Sequence, residues 1–397
     1  MPPLLTLDDA LARILQRVRP LPAEPVPLGL AAGRVLAEAA VAGTDLPPFP
    51  SSAMDGFALR AADTPGTLRV AERVAAGRPA GRGLEPGEAF AIATGGVVPD
   101  GADAVLPLEY VVEHDNRIDV RERVEPGANV RARGADVRAG ETVVPGGSRL
   151  GAAKLGALAA AGTGEVSCGR RPRAAVIVTG TELRRAGEPL GPGEIYESNG
   201  LILTTQLAAA GAEVEEPRVV VDDEQAHLAA MRAGVGADLL VTSGGVSVGP
   251  HDLVRRAGAE VGVEEVFWGV AVQPGKPVSF GVHGDTLVFG LPGNPVSSLV
   301  AFELFVRPAV LALQGAAAPG PAFGIGRLRS PVSRSVERTK LVRARSRTTE
   351  DGVELEPVGG QESHMIVRAA EADALAVVEA GRGTLEAGAT VRYLTLP

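Results

Sequence analysis

Three loops in the middle of the chain combine small residues with polar side chains, and each follows an apolar run. They cover residues 180–182, 243–252 and 292–297, with Glu182, Ser247 and Ser297 among their polar side chains. Gly-rich loops let backbone N–H groups approach a phosphate or another oxyanion, and a helix N-terminus adds partial positive charge. Each loop alone is also compatible with an ordinary strand-to-helix turn. Their recurrence favours a binding site for an anionic small molecule.

Carboxylates recur at turns along the chain and are suited to proton transfer or to binding a divalent cation. They are Asp55, Asp136, Glu182, Asp222 and Asp252. Taken singly, such residues are equally compatible with Asx turns or helix caps. The five histidines and the single cysteine lack the spacing of a zinc site. Any metal is therefore expected to be hard and oxygen-liganded, with Mg²⁺ the default beside phosphates.

Lysine is rare in this chain, in which nearly all the positive charge is arginine. It occurs at Lys154, Lys276 and Lys340. Lys276 lies in the turn QPGKP at residues 273–277. A lone cation in a Gly/Pro turn favours a bound anion over simple solvation.

The motif GVSVG at residues 245–249 permits a different interpretation, because it matches the Gly-x-Ser-x-Gly nucleophile elbow of serine hydrolases. Ser247 is then the nucleophile, and Asp285 and His364 are available as the later acid and histidine. The preceding Ser-Gly-Gly suits anion binding equally well, so the hydrolase is the less favoured alternative. Loss of activity in Ser247→Ala, or labelling by a fluorophosphonate, distinguishes a serine hydrolase from an anion-binding protein. No dinucleotide fingerprint or Walker lysine pattern occurs, which disfavours nicotinamide-dependent and P-loop enzymes.

The elements that position the three loops alternate between apolar strands and helices. Strands are predicted over 174–178, 219–221, 238–242 and 287–291, and helices over 199–210, 224–233 and 297–313. This alternation predicts a doubly wound parallel sheet with right-handed crossovers. Ligands of such sheets bind at the carboxyl ends of the strands. All three loops are therefore expected to converge in one pocket.

Other parts of the chain follow different patterns. Apolar residues at helical spacing predict a helix over 7–19, with Thr6 as its N-cap. Short apolar runs broken by Gly and Pro predict β-structure with hairpins from 26 to about 150, and a helix is predicted over 152–161. A linker after Gly315 precedes a last β segment, in which Asp351-Gly352 predicts a hairpin.

Composition limits the class of protein. The 397 residues include 39 Lys and Arg against 48 Asp and Glu, a net charge of −9, which argues against a nucleic-acid binder that relies on a basic field. The single cysteine, Cys168, excludes an intrachain disulfide and suits a reducing cytoplasm. The N-terminus lacks a signal-peptide pattern, and no uninterrupted apolar run of about 18 residues occurs. We therefore expect a cytoplasmic protein that binds neither nucleic acid nor membrane.

The motifs, taken in order, carry a specific resemblance. They are DLPPF (45–49) running into SAMDGF (52–57), ATGG (93–96), PDGAD (99–103), RARGAD (131–136), TGTEL (179–183), GEIYESN (193–199), TSGGVSVG (242–249), PGKP (274–277) and GLPGNP (290–295). Over essentially its whole length the chain resembles the molybdopterin molybdenumtransferases, the family of bacterial MoeA and the gephyrin E domain. The resemblance implies an α/β multidomain protein with a central doubly wound parallel sheet (the molybdopterin-binding fold), β-rich N-terminal domains and a C-terminal β-barrel. The implied domains are 1–45 with 139–172 (helical and linker), 46–138 (β-rich), 173–316 (molybdopterin-binding α/β) and 317–397 (barrel).

The resemblance also implies roles for individual residues. The implied catalytic residues are Asp55, Asp136, Glu182, Asp222 and Lys276. The implied substrate-binding residues are Thr94, Gly244, Gly245, Ser247, Pro292, Pro295 and Ser297, with Arg343 and Ser363 as weaker matches. The implied metal ligands are Glu182 and Asp252. Four positions depart from the family pattern and leave the molybdate contacts open: Phe57, Gln273, Lys340 and Leu341.

The function implied by the resemblance is insertion of molybdate into adenylated molybdopterin with release of AMP, in the presence of Mg²⁺. It implies a homodimer whose cleft lies between the α/β domain and the partner subunit's β-rich domain. The upstream molybdopterin adenylyltransferase and acceptor molybdoenzymes are further expected partners. A non-catalytic scaffold, which the gephyrin branch also provides, is a second alternative, and pterin binding without turnover is its signature.

Overall fold

A computed structural model describes residues 4–245 and 253–396. The first helix, α1 (Leu7–Arg17), begins as predicted at Thr6, whose Oγ1 accepts a hydrogen bond of 3.1 Å from the Asp9 N–H. This bond satisfies one of the free amides of the first turn. The apolar face of α1, including Ile14, is buried in the core of the central α/β region. The N-terminus is thereby packed against a region that begins more than a hundred residues later in the sequence.

The rest of the N-terminal part is mostly short strands. In chain order it contains β1 (Ala23–Pro27), β2 (Ala40–Val41), β3 (Ser51–Ser52), β4 (Gly56–Leu59), β5 (Gly66–Val74), β6 (Glu88–Ile92), β7 (Ala104–Pro107), β8 (Val111–His114), β9 (Arg117–Val120), β10 (Val130–Arg131), β11 (Thr142–Val144), α2 (Ala152–Ala160) and β12 (Glu165–Gly169), with 3₁₀ turns at Leu28–Leu30, Ala61–Asp63 and Leu108–Tyr110. β1 pairs with β12 and β2 with β11, both antiparallel. The segments before and after the β-rich domain therefore form one unit, whose core includes Leu36, Leu158 and Cys168.

The β-rich domain is a six-stranded sheet in the order β7-β4-β6-β5-β9-β8. Most neighbours are antiparallel, and β5 and β6 run parallel. Apolar side chains are buried on both faces of the sheet, for example Phe57 and Phe90. The turn between β3 and β4 carries Asp55, and Thr94 follows the end of β6. Two site candidates that are far apart in the sequence are thus brought to the same end of neighbouring strands.

The central region has the predicted alternation of strands and helices. It contains β13 (Arg173–Thr179), β14 (Leu183–Arg184), β15 (Ile195–Tyr196), α3 (Asn199–Ala210), β16 (Glu213–Val214), β17 (Arg218–Val220), α4 (Glu224–Gly234), β18 (Leu239–Ser243), α5 (Leu253–Glu260), β19 (Glu264–Trp268), β20 (Val272–Gln273), β21 (Ser279–His283), β22 (Thr286–Leu291), α6 (Pro295–Ala301) and α7 (Arg307–Leu313). The main sheet has the order β16-β13-β18-β22-β21-β19, and β17 also pairs with β13. The strands from β16 to β22 are parallel, and β21 and β19 form an antiparallel edge.

Helices cover both faces of this sheet, which confirms the doubly wound architecture. Alternate residues of β13 point to opposite faces, so that Val176 packs with α3, α6 and α7, while Ile177 packs with α4 and α5. Residues buried on both sides explain why the strands are continuous apolar runs. The carboxyl ends of β13, β18 and β22 lie side by side, because these three strands are neighbours.

The last helix of the region is the longest apolar segment. α6 and α7 are joined by a π-helical stretch (Phe302–Val306), so that helical structure continues over Pro295–Leu313. By length and hydropathy this segment qualifies as a membrane span, but 78% of it is buried inside the fold. It is the core helix of the α/β region.

The C-terminal region contains the predicted barrel. Its elements are β23 (Phe323–Leu328), β24 (Val332–Ser333), β25 (Thr339–Thr349), β26 (Gly352–Pro357), α8 (Ile366–Ala369), β27 (Ala374–Val378), β28 (Thr384–Leu385) and β29 (Thr390–Thr395). The five strands β25-β26-β23-β29-β27 close on themselves, because β27 also pairs with β25. The predicted hairpin lies between β25 and β26. β20 adds to β25 in parallel and joins the barrel to the α/β region.

Candidate active site

A cavity of about 870 Å³, the sheet-edge pocket, lies at the carboxyl ends of β13, β18 and β22. Six of the sequence-predicted site residues line it: Glu182, Asp222, Gly244, Gly245, Pro292 and Pro295. Two further predicted residues, Ser247 and Asp252, lie outside the described residues. The described parts of all three loops therefore meet in one pocket.

Buried hydrogen bonds fix the loops of the sheet-edge pocket relative to one another. Asn199, at the start of α3, donates from Nδ2 to Ser243 Oγ at 2.8 Å and to Gly293 O at 2.7 Å. Ser243 Oγ in turn donates to Pro292 O at 3.1 Å, and Ser298 Oγ donates to the same carbonyl at 2.9 Å. Because these groups are buried, each unmade bond costs the desolvation of a polar group. One asparagine thus connects the loops that follow two of the three strands.

Glycine is required at two positions of the loop after β18. Gly244 and Gly245 have φ angles of +94° and +65°. A Cβ atom at Gly244 lies only 2.5 Å from Thr179 Oγ1, and one at Gly245 lies 2.7 Å from Val254 Cγ2. Both positive φ and lack of space therefore exclude a side chain. The backbone of this loop forms part of the pocket wall, where it is accessible to an anionic ligand.

Two exposed carboxylates, Glu182 and Asp222, line the pocket beside the loop that follows β13. Asp222 Oδ2 accepts hydrogen bonds from the Thr181 N–H and Oγ1 at 3.4 and 3.3 Å, and the Asp222 N–H donates to Thr181 Oγ1 at 3.2 Å. This exchange fixes Asp222 beside the loop that carries Glu182. A Cβ atom on Gly180 lies 2.8 Å from Glu182 Oε2, so the Glu182 carboxylate folds over the Gly180 backbone.

The lining of the sheet-edge pocket is acidic. It includes Glu182, Glu197 and Asp222, and none of its described residues is lysine or arginine. Glu197 accepts a hydrogen bond of 2.7 Å from the Gly200 N–H, so its carboxylate already satisfies a backbone amide in the first turn of α3. Among the described residues, no group of three acidic, histidine or cysteine side chains is arranged to hold a metal. The oxygen donors of Glu182 and Asp222 nevertheless match the preference of Mg²⁺, which is usually held by one or two carboxylates together with substrate phosphates.

A second cavity, of about 780 Å³, lies between the α/β region and the barrel, and we call it the interdomain cavity. Three cations line it, Lys276, Arg338 and Lys340, against one carboxylate, Glu362. Lys340 donates from Nζ to Ser333 O at 2.7 Å and to Ser333 Oγ at 2.9 Å. One of the three ammonium donors of Lys340 therefore remains for a ligand. The charge of the lining suits a divalent oxyanion.

Two predicted residues with hydroxyl groups, Ser297 and Ser363, also line the interdomain cavity. Ser363 Oγ accepts a hydrogen bond of 2.8 Å from Asn294 Nδ2, and Ser363 O accepts one of 3.1 Å from the Val296 N–H. These two bonds hold the barrel loop against the N-terminus of α6. The cavity is thus closed at the contact between the two regions.

Arg343 lies behind the wall of the interdomain cavity and is fully buried. Its Nη2 donates to Gly360 O at 2.6 Å, and Nε and Nη1 have no hydrogen-bond partner among the described residues. Burial lowers the pKa of Arg343 below the ordinary value for arginine, and Glu362 opposes that shift. Arg343 therefore supports the loop that carries Ser363, and it adds positive potential beneath the cavity.

The two cavities have a common wall. Pro277, Pro292, Asn294 and His364 line both of them. The shared wall places the acidic sheet-edge pocket directly beside the cationic cavity.

The site candidates of the β-rich domain are arranged differently. Asp55 Oδ1 accepts hydrogen bonds from the Thr94 N–H at 2.7 Å and from Thr94 Oγ1 at 3.0 Å. These bonds, the backbone one first, lower the pKa of Asp55. Asp136 is exposed, and its N–H donates to Leu46 O at 2.9 Å. The residues that line the two cavities all come from the α/β region and the barrel, so Asp55, Thr94 and Asp136 do not join them within this chain.

The serine hydrolase alternative fails on geometry. Asp285 lies at the amino end of β22, where it pairs with Arg19 at 3.2 Å. His364 lines the pocket at the carboxyl end of the same strand. The six residues of β22 separate these two ends by roughly 20 Å, so the acid and the histidine do not form a triad.

Sequence reasoning did not assign roles to several residues that build the site. Asn199 and Ser298 hold the loops, and Arg338 lines the interdomain cavity. An asparagine at the first position of a predicted helix is usually interpreted as a cap, so its long-range bonds give no signal in the sequence.

Comparison with known proteins identifies relatives over the whole chain. Three family profiles match: "MoeA N-terminal region (domain I and II)" at residues 5–162, "Probable molybdopterin binding domain" at 175–312 and "MoeA C-terminal region (domain IV)" at 326–396. A molybdopterin molybdenumtransferase of Haemophilus influenzae is 36% identical over 398 residues, 98% of both chains. Molybdopterin molybdenumtransferase 2 of Mycobacterium tuberculosis is 42% identical over 319 residues, 77% of this chain and 78% of the relative.

Solved structures agree with the sequence comparison. A crystal structure of a molybdopterin biosynthesis MoeA protein from Pyrococcus horikoshii has a TM-score of 0.78 and 32% identity, and covers 99% of both chains. A second MoeA structure from the same organism has a TM-score of 0.84 and 28% identity, and covers 99% of this chain and all of the other.

Proposed function

The chain belongs to the molybdopterin molybdenumtransferase (MoeA) family, and we propose that it inserts molybdate into adenylated molybdopterin and releases AMP. The family membership makes it an enzyme of molybdenum cofactor biosynthesis. The observation that carries the finer proposal is the shared wall between an acidic pocket and a cationic cavity. Two substrates that are both anions require separate binding sites in contact, because they repel each other in a single site.

We assign the adenylated pterin to the sheet-edge pocket. Its glycine backbone at Gly244 and Gly245 allows close approach of a pyrophosphate, and the helices α3 and α6 begin at the pocket. Ligands of open α/β sheets bind at this end of the strands.

A divalent cation fits the same pocket for reasons of charge. A pyrophosphate beside Glu182 and Asp222, with no lysine or arginine among the described lining residues, requires an added positive charge. Mg²⁺ would be held by these two carboxylates, with Asp252 as a further predicted ligand outside the described residues. When bound, the ion supplies charge neutralisation at the phosphoanhydride.

We assign molybdate to the interdomain cavity. Lys276, Arg338 and Lys340 supply charge-assisted hydrogen-bond donors, and the hydroxyls of Ser297 and Ser363 supply neutral ones. An oxyanion in this cavity lies across the shared wall from the pterin. Occupation of the cavity then precedes loss of the nucleotide, so that AMP release depends on molybdate.

The β-rich domain is proposed to complete the site of a second subunit in a homodimer. Asp55 is exposed and is flanked by exposed apolar side chains, Met54 at 42% and Leu108 at 49%. On the α/β region, Tyr196 of the sheet-edge pocket is 48% exposed and Leu201 of α3 is 71% exposed. Exposed apolar side chains beside both candidate sites support burial of these surfaces against another subunit. We expect Asp55, Thr94 and Asp136 to face the partner subunit's pocket.

The activity is tested with the full chain, adenylated molybdopterin, Mg²⁺ and molybdate. We expect AMP release that requires molybdate, together with reconstitution of an apo-molybdoenzyme. Sulfate in place of molybdate is the control. AMP release at the same rate without molybdate, or no release with it, contradicts the proposal.

The dimer is tested by mixing two inactive variants, Asp55→Asn and Glu182→Gln. If each site combines residues of both subunits, a mixed dimer contains one site with neither substitution, so mixing restores part of the activity. Failure of the mixture to recover activity, with both variants dimeric by light scattering, indicates sites confined to one subunit.

The expected compartment and partner enzymes follow from the same proposed reaction. We propose a cytoplasmic enzyme that receives its pterin from a molybdopterin adenylyltransferase and passes the product to acceptor molybdoenzymes. The free and fully buried thiol of Cys168 fits a reducing compartment.

A further inference from the structure

The wall between the two cavities contains one side chain that exchanges protons. Of the four shared residues, Pro277 and Pro292 are apolar, and Asn294 donates a hydrogen bond from Nδ2 to Ser363 Oγ. His364 is the fourth. Among the described histidines, it is the one that lines either cavity, since His114, His227 and His283 lie elsewhere. An imidazole at this position is in reach of ligands on both sides of the wall.

Hydrogen bonds hold the backbone around His364, whereas its ring has no such partner among the residues that the structure describes. Ser363 is bonded through its hydroxyl to Asn294 and through its carbonyl to the Val296 N–H. The carbonyl of His364 accepts a hydrogen bond of 2.9 Å from the Ile366 N–H. The exposed ring makes no hydrogen bond to any residue in the described part of the chain. A side chain that is anchored at its backbone, and whose ring makes no hydrogen bond to a described residue, is suited to contact a substrate.

The balance of the proposed reaction requires protons at this wall. Molybdate carries four oxygens, and transfer of molybdenum to two dithiolate sulfurs forms two Mo–S bonds and breaks one Mo–O bond. Molybdate, the dithiolate and two protons yield a trioxo-molybdenum dithiolene and one water, with no change of oxidation state. The leaving oxide must therefore be protonated at the point where the oxyanion meets the sulfurs.

We propose that His364 is a catalytic residue that donates one of these protons to the departing oxygen of molybdate. The proposal rests on the function proposed above. The second proton comes from solvent, which reaches the cavities at their open sides. The cavity on one side of His364 is lined by Lys276, Arg338, Lys340 and Glu362, and the pocket on the other side by Glu182, Glu197 and Asp222. The cations hold the oxyanion, and His364, whose side-chain type most often acts as a general acid in enzymes, supplies the transferable proton.

The variants His364→Gln and His364→Ala test the role against His283→Gln. The control histidine lies on β21 and lines neither cavity. General acids contribute about 100-fold or more, so we expect His364→Gln to lower the first-turnover rate of metal insertion by about 100-fold. KM for molybdate should change by less than about threefold, because the loss is in the transition state. Added imidazole should restore part of the rate of His364→Ala but not that of His364→Gln.

The outcomes separate the two proposals. A wild-type protein that shows no molybdate-dependent AMP release or metal insertion contradicts the proposed function itself. An active wild type with a normal rate in His364→Gln overturns the role of His364. An increase confined to KM for molybdate, without rescue by imidazole, assigns His364 to binding and also overturns it. Circular dichroism and thermal unfolding of the variants exclude a folding defect as the cause of a lost rate.

Discussion

The sheet-edge pocket and the interdomain cavity are neighbours with opposite charge. The first is lined by Glu182, Glu197 and Asp222 and lacks lysine and arginine among its described residues, whereas the second has three cations and one carboxylate. Both are proposed to bind anions. The acidic pocket therefore depends on an added cation, and the cationic cavity does not. On this proposal the two anion sites obtain their positive charge from different sources, a bound cation in one and basic side chains in the other.

The two cavities also differ in what builds them. The sheet-edge pocket is formed largely by one region, from the ends of parallel strands and the buried bonds of Asn199. The interdomain cavity exists only where the barrel contacts the α/β region, through β20 on β25 and Asn294 on Ser363.

The largest effect is expected from the acidic pocket. Glu182→Gln removes a proposed ligand of Mg²⁺, and we expect molybdate-dependent AMP release to fall about 100-fold, since a lost electrostatic contact at a phosphoryl group costs several kcal/mol. Higher Mg²⁺ should restore part of the rate. Glu216→Gln is the matched control, because Glu216 forms an exposed ion pair with Arg185 and does not line the pocket. If the rate of AMP release is the same in Glu182→Gln as in the wild type and does not depend on the Mg²⁺ concentration, the acidic pocket does not rely on an added cation. The proposed difference between the two cavities is then wrong.

Lys276→Gln tests the cationic cavity. Loss of one charge-assisted contact should raise KM for molybdate about 10- to 100-fold and leave the Mg²⁺ requirement unchanged. Steady-state kinetics at varied molybdate measures both. Lys154→Gln is the control, because Lys154 lies on α2 and donates to Arg149 O. An altered response to Mg²⁺ with an unchanged KM for molybdate contradicts the assignment.

Lys340→Gln should have a smaller effect on the same constant. The Lys340 ammonium already donates twice to Ser333, so we expect KM for molybdate to rise by about fivefold at most. Lys340→Arg retains the charge and should lie closer to wild type. A larger effect than that of Lys276→Gln reverses the assigned order of the two lysines.

The smallest effect is expected from Thr94→Val, which alters the hydrogen bonding of Asp55 outside both cavities. Thr94→Val removes the side-chain hydrogen bond but keeps the stronger backbone one, so the pKa of Asp55 should rise part of the way toward its ordinary value of 3.8. Because the folded pKa is depressed, the stability it contributes is present above pH 3.8 and is lost as pH falls through the folded value. Carboxyl-carbon NMR titration measures the shift, and Thr67→Val, whose hydroxyl bonds Asp119, should leave it unchanged. No shift in Thr94→Val contradicts the stated cause.

Local patterns in the sequence predicted much of the α/β region. The helix over 199–210 was predicted with the bounds that the structure has, and the buried strand over 174–178 lies within β13. Continuous apolar runs and turn glycines are local signals, so they can be recognised without knowledge of the tertiary contacts. The convergence of Glu182, Gly244 and Pro292 followed from sheet topology alone. No strand was predicted over β19 or β21, which form the antiparallel edge of the sheet.

Local sequence patterns did not predict the interdomain cavity. Lys276 was singled out for its setting, but its association with Arg338 and Lys340 depends on the pairing of β20 with β25. Likewise α1 gave a clear helical pattern but no sign that it packs on the distant α/β core. Contacts between regions depend on surfaces that a single sequence does not reveal. The hydrogen bonds of Asn199 to Ser243 and Gly293 are a second example, because their partners are distant in the sequence.

The closed ring of five strands in the barrel has a mechanical consequence. A closed sheet has no free edge along its ring and moves as a body, so the contacts between β20 and β25 and between Asn294 and Ser363 form a seam between two stiff parts. The same boundary is sealed by a shared apolar core, in which Leu341 and Leu375 of the barrel pack with residues of the α/β region. The barrel is therefore a rigid part of the wall of the interdomain cavity, fixed to its neighbour by apolar packing as well as by hydrogen bonds.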